Sequence, residues 1–221
     1  MTAMLQMEGV AKSFGEGDER RQVLRRVDLV LEPGRLGVVS GVSGRGKSTL
    51  LAIAGGLMRP DEGTVRVCGQ DVGTLDERGL DELHRLRVGF IFQTPYAIAA
   101  MTARENVELA LRTSRRPVDG DTVRDVFGRL GLAEAAELLP SQMSVGQRRR
   151  LSVARCVLAG QSLILADEPT NDLDTAGCQA VMDLLREHAS RGGAVLMVTH
   201  DPRWVSLADD VFQLDEEGVV L

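Results

Sequence analysis

The chain has 221 residues, of which 26 are basic and 32 acidic, for a net charge of -6. At about 150 residues per domain this is a single domain with room for an insertion. A content of 43% hydrophobic and 26% charged residues excludes disordered, collagen-like and coiled-coil chains. The acidic balance argues against a nucleic-acid partner, which requires phosphate neutralisation.

Taken in chain order, short β-branched runs predict strands over 4–10, 23–31 and 36–40, and a helix follows over 47–57. Strands are predicted next at 64–67 and 88–92. A helix over 102–112 opens with Thr102 and Glu105 in capping-box spacing. Val123, Val126, Phe127 and Leu130 fall on one helical face. A helix at 144–159, a strand at 163–166, a helix at 176–190 and strands at 194–199 and 211–214 come after. A turn over 215–218 leads to a last short strand at 219–221. The runs 36–40, 163–166 and 194–199 are apolar on consecutive residues, the mark of parallel strands buried on both faces. Between about 94 and 155 strand signals vanish, which predicts a helical insertion into an α/β core. The basic run Arg148–Arg149–Arg150 is read as a solvated helix face.

Cys68, Cys156 and Cys178 form no C-x-x-C pair, so neither a disulfide framework nor a zinc site is supported, and a reducing compartment fits. The first ten residues lack the basic flank and apolar run of a signal peptide. The longest apolar stretches, such as 50–58, fall short of the ~18 residues that a membrane span needs.

Residues 41–49 read GVSGRGKST, a G-x-x-x-x-G-K-[ST] pattern between a predicted strand and a predicted helix. Gly41, Gly44 and Gly46 permit the backbone to turn its N–H groups inward, with Val42, Ser43 and Arg45 between them. The helix that carries Lys47, Ser48 and Thr49 adds its positive N-terminal end. Lys47 would face the β- and γ-phosphates of a bound nucleotide, and the Ser48 hydroxyl would face Mg²⁺. Only Lys12 and Lys47 are lysines among the basic residues, and retention of lysine against that bias suggests work arginine cannot do. Residues 163–168 read LILADE, an apolar strand running into two acids. Asp167 is the candidate Mg²⁺ ligand and Glu168 the candidate proton acceptor for an attacking water. Pro169 then ends the strand.

The motifs QMSVGQRRRLSVAR at 142–155, DEPTNDLD at 167–174 and THD at 199–201 follow the phosphate loop in an order that resembles the ATP-binding cassette (ABC) ATPases over essentially the whole chain. The resemblance implies an α/β P-loop NTPase fold with a parallel central sheet, an N-terminal antiparallel β subdomain and the inserted helical subdomain, all in one domain. It implies that Phe14 stacks on adenine and that Gln93 senses Mg²⁺ and the γ-phosphate. Ser144, Val145, Gly146 and Gln147 resemble the signature motif that closes over the nucleotide of a second subunit. Leu173 and Asp174 resemble the D-loop between the two sites, and His200 the switch histidine at the γ-phosphate. Here the signature reads MSVGQ rather than the usual LSGGQ; Met143 is a mild exchange, whereas Val145 adds β-branched bulk near a phosphate site.

The subgroup most resembled is the lipoprotein-release and macrolide-export (LolD/MacB-like) type, on the stretches GGLMRPDEG at 55–63, LHRLRVGFIFQ at 83–93 and TARENVELAL at 102–111. That implies an ATP- and Mg²⁺-dependent motor at the cytoplasmic face of the plasma membrane. It would pair with a second ATPase subunit, as a homodimer in the first place with a heterodimer left open, and drive a separate integral membrane permease received near 93–101. Export and mechanotransmission both remain open, as does an FtsE-like role in regulating cell-wall or division machinery. A soluble ABC protein acting on DNA or ribosomes fits less well, since no second cassette or long coiled coil is present.

Overall fold

The three runs predicted to be doubly buried lie side by side in the computed structural model, which describes residues 2–16, 20–41, 44, 46–215 and, for the backbone only, 219–220. They are β3 (Leu36–Ser40), β7 (Leu163–Asp167) and β8 (Ala194–Val198). With β6 (Val88–Ile91), β9 (Asp210–Leu214) and β10 (Val219–Val220) they form a six-stranded sheet in the order β10-β9-β3-β8-β7-β6. Every pair is parallel except the outer β9–β10 pair. The predicted 215–218 turn lies outside the described residues from Glu216 to Gly218, as does Leu221.

Strand alternation feeds two cores. Val38, Ile164, Ala166, Val195 and Met197 enter one, and Val39, Leu163, Leu165, Leu196 and Val198 the other. The first core is closed by α3 (Ala103–Thr113), α4 (Gly120–Arg129), α5 (Val145–Ala159) and α6 (Thr175–Ser190), through residues such as Val107, Phe127, Leu151 and Leu185. The second is closed by α1 (Lys47–Ala54) and by an antiparallel sheet. That sheet has the order β2-β1-β4-β5, from β1 (Leu5–Phe14), β2 (Arg21–Leu31), β4 (Glu62–Val67) and β5 (Gln70–Asp71). Each fully buried Leu, Ile or Phe on these faces contributes about 1.5–3 kcal/mol, which makes the central strands a rigid mount for the loops at their ends. Between β6 and β7 the chain is helical, with two short 3₁₀ turns joining α4 to α5.

Several elements differ from expectation. β1 runs on to Phe14, paired with Arg21. α1 stops at Ala54 rather than near Leu57, because Gly55 is its C-cap and Gly56 turns the backbone into the left-handed region at φ of +74°. A helix not anticipated, α2 (Glu77–Leu86), is capped by Asp76, whose carboxylate accepts from Gly79 N at 2.8 Å. A short α7 (Pro202–Val205) follows β8. Among the described residues no helix is long and apolar enough to cross a membrane.

Candidate functional site

The loop after β3 turns on glycines in the left-handed region. Gly46 is the clearest case, with φ of +92° and a position where a Cβ would lie 2.6 Å from Val23 Cγ1 and 3.0 Å from Val23 O. Only glycine combines that conformation with that approach. Gly46 is also the N-cap of α1, so the first free N–H groups of the helix face the loop. Gly41 and Gly44 share positive φ, and Lys47 Nζ donates to Gly41 O at 2.9 Å. Val42, Ser43 and Arg45 lie outside the described residues. The Ser48 hydroxyl donates to Asp167 Oδ2 at 2.6 Å, joining the start of α1 to the end of β7. A cavity of about 360 Å³ opens here, lined by Gly44, Gly46, Lys47, Ser48, Thr49, Gln93, Asp167 and Glu168 between walls made by Val23 and Val198.

Glu168 is the first residue past β7. Its φ is +49°, and its N–H donates to Val198 O at 3.0 Å, which pins it to β8. Its side chain is buried. Oε1 lies 2.9 Å from His200 Nδ1, whereas Oε2 is buried without a partner among the described residues. The hydrogen bond and charge of Glu168 raise the His200 pKa above its ordinary value, against burial and the nearby Lys47 ammonium. A buried carboxylate oxygen with nothing to bond is costly, so Oε2 is open to a group that the described residues do not supply.

Mg²⁺ fits this donor set. Among the described residues no group of three or more His, Cys, Asp or Glu could hold a metal. Beside Thr49 and Glu168, the cavity offers the Ser48 hydroxyl, the Asp167 carboxylate and the Gln93 carboxamide. Such sparse oxygen ligation suits Mg²⁺, which completes its shell with waters and phosphate oxygens.

The remaining expected residues lie elsewhere. Ser144 is the N-cap of α5 in a full capping box: Gln147 N donates to its Oγ at 3.1 Å and Gln147 Oε1 accepts from its N–H at 2.8 Å. Val145 opens the helix, exposed, in ordinary helical backbone. A Cβ on Gly146 would lie 3.1 Å from Asp172 O. None of the four lines the cavity. Leu173 packs on the first core, and Asp174 caps α6 by accepting from Gly177 N at 2.7 Å. Phe14 is 42% exposed at the end of β1, its ring 5.8 Å from Lys12 Nζ, and it too is outside the cavity lining. Lys12 itself pairs with Asp61 at 2.7 Å, so lysine is retained in the glycine loop at one position and in a structural ion pair at the other.

The basic run is not a solvated face. Arg148 donates to Pro140 O and Met143 O, Arg150 to Gly146 O and Leu130 O, and the buried Arg149 to Phe92 O, Gln93 O and Asp172 Oδ2. These arginines satisfy carbonyls that helix ends and loops leave open, a need that charge counting does not register. Val23, Val198 and Arg149 are the site-forming residues that sequence reasoning missed. The first two read only as strand positions.

The family model described as ABC transporter matches residues 24–171. The chain is 40% identical over 222 residues to the macrolide export ATP-binding/permease protein MacB of Salmonella choleraesuis, which covers 100% of this chain and 34% of that protein. To the protein of the same name from Escherichia coli K12 it is 38% identical over 225 residues, with the same coverage. The chain thus spans about a third of the length of these curated relatives. Among solved structures, the dimer of the ATP-binding cassette MJ0796 in a post-hydrolysis state with ADP and Pi matches with a TM-score of 0.88 and 33% identity, covering 99% of this chain and 97% of that one. Motif order, fold and these likenesses agree, and the chain belongs to the ABC transporter family.

Proposed function

We propose that this chain is an ATP-hydrolysing motor that dimerises on ATP and drives a membrane permease from the cytoplasmic face, in export or mechanotransmission. The observation that carries the reading is the cavity in which Lys47, the bonded Ser48–Asp167 pair, Gln93 and the buried Glu168 converge. The glycine loop and the start of α1 cradle the phosphates, with Lys47 exchanging its Gly41 carbonyl for phosphate oxygens. Phe14 takes the adenine ring. Ser48, Asp167 and Gln93 hold Mg²⁺, which when bound offsets charge on the phosphates. Glu168 takes a proton from water at its unpartnered Oε2 while the water oxygen attacks the γ-phosphorus and the bond to the bridging oxygen breaks. His200 orients Glu168 through the 2.9 Å contact and meets the γ-phosphate. Ser144 to Gln147 would close on the nucleotide of the partner copy, and Leu173 and Asp174 would lie between the two sites.

Support for a permease partner comes from a second cavity, about 310 Å³, lined in part by Phe92 and Tyr96, which flank Gln93 in sequence. It is lined by Phe90, Phe92, Tyr96, Ile98, Leu109 and Arg155, among others, and Tyr96 is 66% exposed. An apolar cleft of this size beside the nucleotide loop suits a short apolar segment of a membrane subunit. The relatives named above are themselves ATP-binding/permease proteins. Two experiments test the reading. Lys47→Ala abolishes ATP turnover, and unchanged turnover removes the site assignment. A pull-down from detergent-solubilised membranes recovers a multi-span protein in stoichiometric amount, and recovery with ribosomes or DNA alone removes the transporter.

A further inference from the structure

Arg149 is only 3% exposed, on the second turn of α5. Arginine is seldom buried, and a buried ion is often replaceable by packed apolar residues without loss of stability. Here the guanidinium reaches three acceptors on two different loops. Nη1 donates to the carbonyls of Phe92 and Gln93, and Nη2 donates to Asp172 Oδ2 at 3.1 Å. Its Nε is buried and unpaired among the described residues. The geometry therefore serves the loops more than it serves the arginine.

Those two loops flank the catalytic strand end. Gln93 lines the nucleotide cavity beside Asp167 and Glu168. Asp172 lies on the turn that leaves Glu168, with φ of +61°, a conformation that non-glycine residues seldom hold. At Gly146, three residues before Arg149 and so on the same helical face, a Cβ would lie 3.1 Å from Asp172 O, so α5 passes close to that turn. Further along the helix, Arg155 Nη1 donates to Tyr96 O at 2.6 Å. The segment from Phe92 to Tyr96 is thus gripped at both ends by one helix, whose N-terminus carries Ser144.

We infer that Arg149 is a positioning residue for ATP hydrolysis: it sets the Gln93 carboxamide and the Asp172 turn against Asp167 and Glu168, and passes any displacement of α5 to both. This rests on the ATPase reading above. A shift of α5 on closure over a partner's nucleotide would be felt at the Gln93 of its own subunit through a single guanidinium. Arg148 and Arg150 sit beside it in sequence but, among the described residues, bond only carbonyls of Leu130, Pro140, Met143 and Gly146, none of which lines the cavity. Arg148 is therefore the internal control.

The test compares wild type, Arg149→Lys and Arg148→Lys. Lysine keeps the charge and loses the planar fork that serves two loops at once. Steady-state MgATP hydrolysis, binding of a fluorescent ATP analogue and hydrogen exchange are measured on each. For Arg149→Lys, kcat falls by about tenfold or more, while KM and nucleotide affinity stay within about threefold, the range for losing a group that orients a ligand. Amide exchange accelerates in 92–98 and 171–174, and not in β7 or α6. Arg148→Lys keeps the wild-type kcat. Should Arg149→Lys not fold, Asp172→Asn removes the one charged acceptor and lowers kcat in the same direction. A kcat within twofold of wild type overturns the inference, as does an equal fall in the Arg148 control or uniformly faster exchange, which would make the residue merely structural. A wild-type chain that binds nucleotide and never turns it over, alone or with its membrane partner, overturns the ATPase reading and this inference with it.

Discussion

Glu168→Gln separates chemistry from folding, because the structure assigns the two effects different sizes. Removing a positioned proton acceptor costs about 10²–10⁴ in rate, equivalent to about 2.7–5.5 kcal/mol in the barrier. Stability should hardly move. The buried Oε2 is unpaired already, so an amide NH₂ placed there inherits a penalty of about 1–3 kcal/mol that the native protein already carries. Oε1 still accepts from His200, and the lost charge assistance is small because the His200 side chain is 72% exposed and solvent-screened. The net change is within about 1 kcal/mol, or roughly 2–4 °C in Tm for a domain of this size. Single-turnover phosphate release, ATP affinity, thermal unfolding and size-exclusion chromatography in Mg-ATP read these quantities separately. The expected variant hydrolyses at least a hundredfold more slowly, binds ATP as wild type does, melts within about 4 °C of wild type and accumulates as an ATP-bound dimer. Turnover within tenfold of wild type would place the proton acceptor elsewhere. A large fall in Tm would show that the carboxylate is structural, and a strict monomer at saturating ATP would count against the MSVGQ signature.

Gly46→Ala forces a side chain into left-handed backbone, at about 1–2 kcal/mol, and against Val23. The thermal shift produced by Mg-ADP should vanish while the ligand-free protein still folds; a full shift would show the loop is not the phosphate cradle. Asn106 is buried, accepts from Ile98 N and donates to the carbonyls of Ile98, Met101 and Thr102. Asn106→Ala strands several backbone groups at about 1–3 kcal/mol each, so the urea midpoint should fall with the m-value unchanged, and a midpoint equal to wild type refutes that role. Burial lowers the pKa of His188, with the Arg116 charge adding to it against a backbone hydrogen bond at Ser162. The unfolded chain then takes up a proton that the folded chain refuses, so stability is lost as pH falls through the ordinary histidine range, by at most about 1.4 kcal/mol per pH unit. His188→Gln should flatten the Tm-versus-pH curve between pH 7.5 and 5.5 relative to wild type, and an identical curve would show that His188 is not the group responsible.

The glycine loop between strand and helix, the acid pair at a strand end and the three doubly buried strands could be read from sequence because each is contiguous. Glycines, a lysine and a helix start act through their own backbone, so spacing along the chain is also spacing in space. Other elements lacked that property. α2 carries a leucine face with Leu80 packed and Leu83 buried, yet acids, arginines and Gly79 outnumber it, and only packing against the second core settles its state. The Phe14 position shows a similar limit. An aromatic at a strand end is visible in sequence, whereas its distance from the cavity walls depends on how far β1 extends before turning.

The basic run marks the boundary most sharply. Its residue types say only that three long cations follow one another on a helix, and a solvated face is what such a run usually means. In the fold, the acceptors of Arg149 lie 57, 56 and 23 residues away in sequence. They are mostly backbone carbonyls, which every residue possesses, so the partner's identity gives no sign of the contact. A catalytic group must carry particular chemistry and is therefore conspicuous. A group that holds such residues in place needs only reach and donors, so its role becomes visible only once the loops it joins have been brought together.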